Sequence, residues 1–439
     1  PPPRPMHPPT TTRPPTDRPP ARAPPPPMAR HARRLAALVA ALVPSLAHAA
    51  RIEVRPGPGA PLAAALARAA AGDTIVVHAG RYAEPTLVVA RAVTLLGRPG
   101  AVLDGEGTHA ILKIGADDVT VQGLAFTSTG TSGVEDRAAI RAENVARCRI
   151  VGNTVTDTYF AIYLARVDGC EVRGNVVRGP DAGQLEAGNG IHLWHARNVR
   201  VAGNVVERHR DGLYFEFTRH ADVRDNRSDG NSRYGLHFMF SDSCAYVGNA
   251  FVRNASGIAV MYTHHVEMRR NLFADAWGSA AYGLLLKSIS DSRVEDNVFR
   301  GNSVGLHLED ANRNAITGNR LERNGWALRL MRNADDNRLE RNDFVANAFD
   351  VVATGDRNTT VMRGNHWDAY RGYDLDRDGT GDVPHRPVRL FALVVEQNPP
   401  ALVLLRSILL DLLDLAERVL PVLTPASVVD PAPALRRNT

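Results

Sequence analysis

Two groups of residues in this 439-residue chain have the types and spacing to hold a metal ion. The first is His237 and Met239, then Met261 and the adjacent pair His264 and His265. Thioether and imidazole donors suit Cu(I), which takes few, soft ligands. Taken singly, each of these side chains is explained by packing against a partner or loop; the cluster is what points to copper. The second group is Asp374, Asp376 and Asp378, followed by Gly379 and Asp382. Carboxylates at the first, third, fifth and ninth positions with glycine at the sixth resemble the opening of a calcium loop. The twelfth position is His385 instead of a bidentate glutamate, so this is not a full EF-hand. It reads as a structural Ca²⁺ site or as a hydrated aspartate turn.

What must position these groups is a repeat. Asparagine closes a short alternating segment at Asn153, Asn175, Asn204, Asn226, Asn249, Asn271, Asn297, Asn319, Asn342 and Asn365. The intervals are 22, 29, 22, 23, 22, 26, 22, 23 and 23 residues. A second marker keeps step: Ala161, Gly190, Gly212, Gly235, Gly257, Gly283, Gly305 and Ala327 each open an apolar-alternating run. Strands with period-2 patterning at this spacing cannot bury their inner faces alone, so they must stack. The expected fold is all-β: a right-handed, single-stranded parallel β-helix of about a dozen coils, each roughly 22 residues. The repeated asparagine fits a buried bend where each amide bonds the same amide one coil above and below. The coils are expected over residues 51–365, an Asp-rich capping loop over 366–390, and an amphipathic helix and tail over 391–439. Longer intervals place loops near Pro180 to Gly188 and Trp277 to Ala281.

Stacking turns sequence positions into columns. One outward column reads Tyr163, His192, Tyr214, His237, Ala259, Leu285, His307, Arg329. Its neighbour reads Ala165, Trp194, Glu216, Met239, Met261, Lys287, Glu309, Met331. His237, Met239 and Met261 thus become neighbours on a rigid sheet, with His264 and His265 just beyond the strand. Cys148, Cys170 and Cys244 each lie five residues before their coil's asparagine and share an inward column. Small side chains explain that column without chemistry, and coils ~4.8 Å apart look wide for the ~3.8 Å Cβ separation of a disulfide.

Residues 1–27, rich in proline, are expected to be a disordered leader, with translation starting at Met28. Residues 28–49 have a basic start, an apolar run and an Ala-His-Ala close, the pattern of a signal peptide for export. The whole chain carries 52 basic and 47 acidic residues. Without the seven arginines and one aspartate of residues 1–49, 45 basic face 46 acidic, so nothing argues for a nucleic-acid partner. In the tail, Leu405, Ile408, Leu409, Leu412, Ala416 and Val419 share one face of a helix. Arg406, Asp411, Asp414, Glu417 and Arg418 fall opposite. The charges interrupt the segment too often for a membrane span, so the apolar face should dock into a groove on its own β-helix or on a membrane partner.

The coils, the segment Asn365 to Pro384 and the tail from Leu390 to Pro421 together resemble the NosD family, over residues 51 to 431. That resemblance implies a periplasmic accessory protein working with an ABC ATPase and its membrane subunit, a copper chaperone and nitrous-oxide reductase. It implies a part in assembling the reductase's copper–sulfur cluster, and gives the His/Met face weight as a copper relay. His366, His385 and Arg377 depart from the family's usual residues. The rival reading is a carbohydrate-active β-helix enzyme, a polysaccharide lyase or uronate epimerase, with His192, Tyr214, His237 and Arg329 on one face. Against it, Arg329 stands four coils from His237, roughly 19 Å.

Overall fold

The computed structural model describes residues 49–132, 134–180, 187–331, 333–354, 359–405, 407–420 and 428–438. The expected leader, and the signal segment up to residue 48, lie outside them. Within the described residues each coil lays down three short strands, and every strand pairs in parallel with its counterpart one coil away. The result is a parallel β-helix of about 13 turns with a small helical C-terminus. Three sheets of 14, 12 and 13 strands run its length. The 12-stranded sheet has the longest strands, up to the nine residues of Tyr282–Ser290, and it carries the candidate site.

The asparagine marker has the cause expected of it. Asn226 donates both its backbone N–H and its Nδ2 to Asn249 Oδ1, at 3.0 and 2.9 Å. Asn249 repeats this toward Asn271 and also donates Nδ2 to Val223 O on the preceding coil. Each buried amide is thereby satisfied in both directions, as a water-free interior requires. A second ladder, Asn302 to Asn324 to Asn347, lies under the strands of the 12-stranded sheet. It explains the glycine marker: a Cβ on Gly283 would stand 2.9 Å from Asn302 Nδ2. Between the ladders, Phe251, Phe273 and Phe299 stack at 5.6 and 4.9 Å inside the core.

Both ends are closed. The helix Pro61–Arg68 buries Leu62 and Ala65 over the first coils, and the Glu84 carboxylate accepts the free N–H groups of Leu62 and Ala63. At the other end Trp367 stacks on Phe344 with ring centres 4.0 Å apart. The C-terminal segment folds back so that Ala434 bridges His366 and Asp430 pairs with His385.

The pairing of the cysteines, which coil spacing leaves open, is made. Cys148 and Cys170 are joined in a disulfide, with Cα atoms 4.6 Å apart. Disulfides span Cα separations from about 4.4 Å upward, and side chains in one column can lean toward each other, so coil stacking does not forbid the bond. Cys244 is free and buried, and burial pushes its thiol up to about 12.

Candidate functional site

The outward columns on the 12-stranded sheet have the expected register. Tyr163, His192, Tyr214, His237 and Ala259 are successive partners, as are Trp194, Glu216, Met239, Met261 and Lys287. The first column is not an open ligand face. Tyr163, His192, Tyr214 and His237 pack ring on ring at 4.3, 4.6 and 5.0 Å, and Tyr234 lies 4.8 Å from His237. This leaves His192 and His237 buried although they point away from the core. Burial drives the His192 imidazole down to about 3, and burial together with Glu216 drives the Tyr214 hydroxyl up to about 12.

His237 is held by residues the sequence reading passed over. Asp211, fully buried, takes Arg233 through both carboxylate oxygens, and its Oδ2 lies 3.5 Å from His237 Nδ1. Arg233 Nη2 also approaches His237 Nδ1 at 3.1 Å. Burial pushes Asp211 up, but the Arg233 and His237 hydrogen bonds outweigh it and hold the carboxyl below its ordinary value. The opposite ring atom, His237 Nε2, is buried with no partner among the described residues. The missed signal was the residue before each glycine marker: Asn189, Asp211 and Tyr234 occupy one register and face the histidine column.

Met239 and Met261 are register partners, half-buried, with Glu216 and Lys287 beyond them on either side. His237 precedes Met239 by two residues on the same face, about 6.6 Å along the strand. Two thioethers and an unpartnered imidazole nitrogen fit a soft monovalent cation and would not attract a hard one. His264 and His265 are placed differently. Tyr262, at φ +54°, turns the chain after Met261, and beyond that corner His264 Nδ1 pairs with Asp242 Oδ1 at 2.9 Å. His265 is exposed beside it.

The Asp-rich loop gathers Asp374, Asp376 and Asp378, with ligand atoms within 4.8 Å of one another. Asp382 instead accepts the Leu375 N–H at 2.6 Å. The other carboxylates also take backbone N–H groups of their own loop, Gly379 to Asp374 and Thr380 to Asp378. His385 does not join them: it lies 5.0 Å from the Trp367 ring, and burial holds it down at about 4.

The tail forms two helices, Leu390–Gln397 and Ile408–Val419, separated by Pro399 and Pro400. Phe391 joins Phe349, and Leu404, Leu405, Leu410 and Leu413 pack around them. Arg329 is ion-paired with Glu396 of the first helix, so it serves the tail and not the histidine column. Ile408, Leu412, Leu415 and Val419 remain exposed, Ala416 is half-buried, and the Leu409 side chain lies outside what is described. The face expected to dock is therefore split: Leu405 seats the tail on its own body, while Ile408 and Leu412 face outward. Among the described residues no helix is long and apolar enough to cross a membrane.

Residues 181–372 match the family described as periplasmic copper-binding protein (NosD). The chain is 30% identical over 377 residues to a protein of Pseudomonas aeruginosa named probable ABC transporter binding protein NosD, covering 82% of this chain and 87% of that one. A protein of the same name from Stutzerimonas stutzeri is 28% identical over 82% of this chain and 86% of its own length. Among solved structures, the family 28 exopolygalacturonase of Yersinia enterocolitica superimposes with a TM-score of 0.50 at 10% identity. It covers 74% of this chain and 79% of that one, a likeness of fold alone. With its coils, its capped end and its relatives in agreement, the chain belongs to the NosD family of periplasmic copper-binding proteins.

Proposed function

We propose that this protein is the periplasmic accessory subunit of an ABC-type transporter system and handles copper for assembly of the copper–sulfur cluster of nitrous-oxide reductase. In this reading copper is cargo, received from a copper chaperone and passed toward the reductase. The observation that carries it is the register pair Met239 and Met261 beside His237, whose Nε2 is enclosed without a partner. The Asp211 carboxylate behind Nδ1 would orient the imidazole, the role such groups play behind metal-bound histidines. Half-burial leaves the two thioethers reachable by a partner, which suits a relay better than a storage site.

The outward face of the last helix, with Ile408 and Leu412, is the proposed dock for the membrane subunit. The enzyme reading loses its charge neutraliser, because Arg329 is committed to Glu396.

The test is the double variant Met239→Ala, Met261→Ala, titrated with Cu(I) against a chromophoric chelator and followed by reductase maturation in cells. Cu(I) affinity should fall at least tenfold and maturation with it. Unchanged affinity in the double variant would remove the copper site.

A further inference from the structure

One residue past the methionine column, the chain turns a corner in eight successive coils. By strand register the corner positions are Asn144, Arg166, His195, Phe217, Phe240, Tyr262, Ser288 and Asp310. All have φ between 49° and 55°. That left-handed conformation is cheap for Asn or Asp and unfavourable by roughly 1–2 kcal/mol for a bulky residue. Asn144 and Asp310 follow the rule. Arg166 breaks it, and after His195 so do three consecutive coils with Phe217, Phe240 and Tyr262.

These four rings form one exposed ridge. Their centres are 4.6, 5.4 and 5.1 Å apart, and successive planes differ by 17°, 14° and 10°. Phe217, Phe240 and Tyr262 are 41%, 45% and 45% exposed, so a large part of each ring faces solvent. Beside the ridge, Arg197 and Arg219 are exposed and have no ion pair or side-chain hydrogen bond among the described residues. Arg166, Asp168, Trp194 and both arginines line one open groove with His195, Phe217 and Phe240. Arg166 itself is satisfied by Glu143 and the Trp194 face.

We infer that this ridge and groove are a docking surface for an acidic patch on a protein partner, with the two free arginines reading its carboxylates. The ring geometry selects protein over sugar or nucleobase. Stacked as they are, the rings spend their faces on one another and present C–H edges, which carry the positive part of the aromatic quadrupole. A sugar or base needs an open face; carboxylates and an apolar anchor need edges and arginines. Aromatic and arginine side chains are also enriched among the anchors of protein interfaces. Because Met239 and Met261 immediately precede Phe240 and Tyr262, a seated partner would lie over the methionine pair. That last point, and the choice of the two proteins tested below, rest on the proposed function.

The test uses the exported full-length protein, metal-free. Its dissociation constants are measured for the copper chaperone and for the nitrous-oxide reductase of the same organism, for vesicles with anionic lipid, and for an oligouronate. Variants are Phe217→Asn with Phe240→Asn, and Arg197→Glu with Arg219→Glu. One of the two proteins should bind, at least tenfold weaker to either variant and weaker in high salt. The asparagine variant should keep the parent's circular-dichroism spectrum and its cooperative unfolding. Binding of both proteins unaffected by the variants, absence of protein binding, or variant-sensitive binding to vesicles or oligouronate alone would each overturn the proposal. A lower melting point with unchanged protein binding would make the ridge structural and overturn it too. The ridge and arginine variants should keep the parent's Cu(I) affinity, so loss of the dock and loss of the copper reading are told apart.

Discussion

Asp430 Oδ2 accepts both the backbone N–H and the Nδ2 of Asn365, at 3.0 Å each, and the Trp367 Nε1 at 3.1 Å. Every other rung of that ladder is an asparagine, which accepts from one neighbour and donates to the next. The last rung has no further coil to donate to, so an acceptor-only carboxylate fits where an amide would leave a donor stranded. Asp430→Ala should strand three buried donors and lower stability by about 3 kcal/mol or more. Asp430→Asn should lose less. Urea midpoints check this, and an unchanged midpoint for the alanine variant would mean the tail does not close the helix.

The disulfide joins residues 22 apart on adjacent coils. A closed loop of that length restrains the unfolded chain by about 3 kcal/mol. Reduction, or Cys148→Ala with Cys170→Ala, should lower the urea-derived stability by about that amount. Labelling of the non-reduced, unfolded chain should find one thiol, Cys244; three thiols would show that the bond does not form.

Stability should fall on acidification. Burial holds His209, His307 and His385 at about 4 and His192 at about 3, against an unfolded value near 6.5. Below pH ~6.5 the unfolded chain takes up protons that the folded chain refuses. The stability present above that value is therefore lost as pH drops toward about 4. Asp350, pushed up to about 6 by burial, acts with the opposite sign: its contribution is present below about 4 and lost as pH rises through 6. Four histidines outweigh it. The urea midpoint at pH 4.5 should lie well below that at pH 7, and His307→Gln should flatten the slope. Equal midpoints at the two pH values would contradict neutral burial.

The exposed side of the last helix should be needed for the complex and not for the fold. Ile408→Glu with Leu412→Glu removes two outward apolar side chains, 78% and 56% exposed, and spares the Leu410 and Leu413 contacts. The variant should melt like the parent and fail to co-purify with the membrane subunit. Retained co-purification would assign the dock elsewhere.

Copper handling should depend on Met239 and Met261 and less on His264. His264→Ala removes a side chain already paired to Asp242 beyond the Tyr262 corner. It should leave Cu(I) affinity within a few-fold of the parent while the double methionine variant loses at least tenfold. Equal losses would place His264 in the site.

Much of this was legible in the residues alone because a solenoid makes tertiary neighbours out of sequence period. Once Asn226 and Asn249 are known to be one coil apart, His237, Met239 and Met261 must be adjacent, whatever the rest of the chain does. The columns and the glycine marker follow from the same arithmetic.

What the period does not carry is anything that breaks the coil or depends on side-chain direction. Asp430 lies 65 residues from its partner Asn365, beyond the last coil, so no spacing announces it. The Cys148–Cys170 bond depends on how two side chains lean. Burial of His192 and His237 comes from rings stacking across the outer face, where alternation alone predicts exposure. The Asp211 and Arg233 pair behind His237, and the corner that sets Phe217, Phe240 and Tyr262 in one ridge, arise at strand ends and at left-handed backbone turns, the turn at Tyr262 lying within its strand. There the conformation, not the hydrophobic pattern, decides what a residue meets.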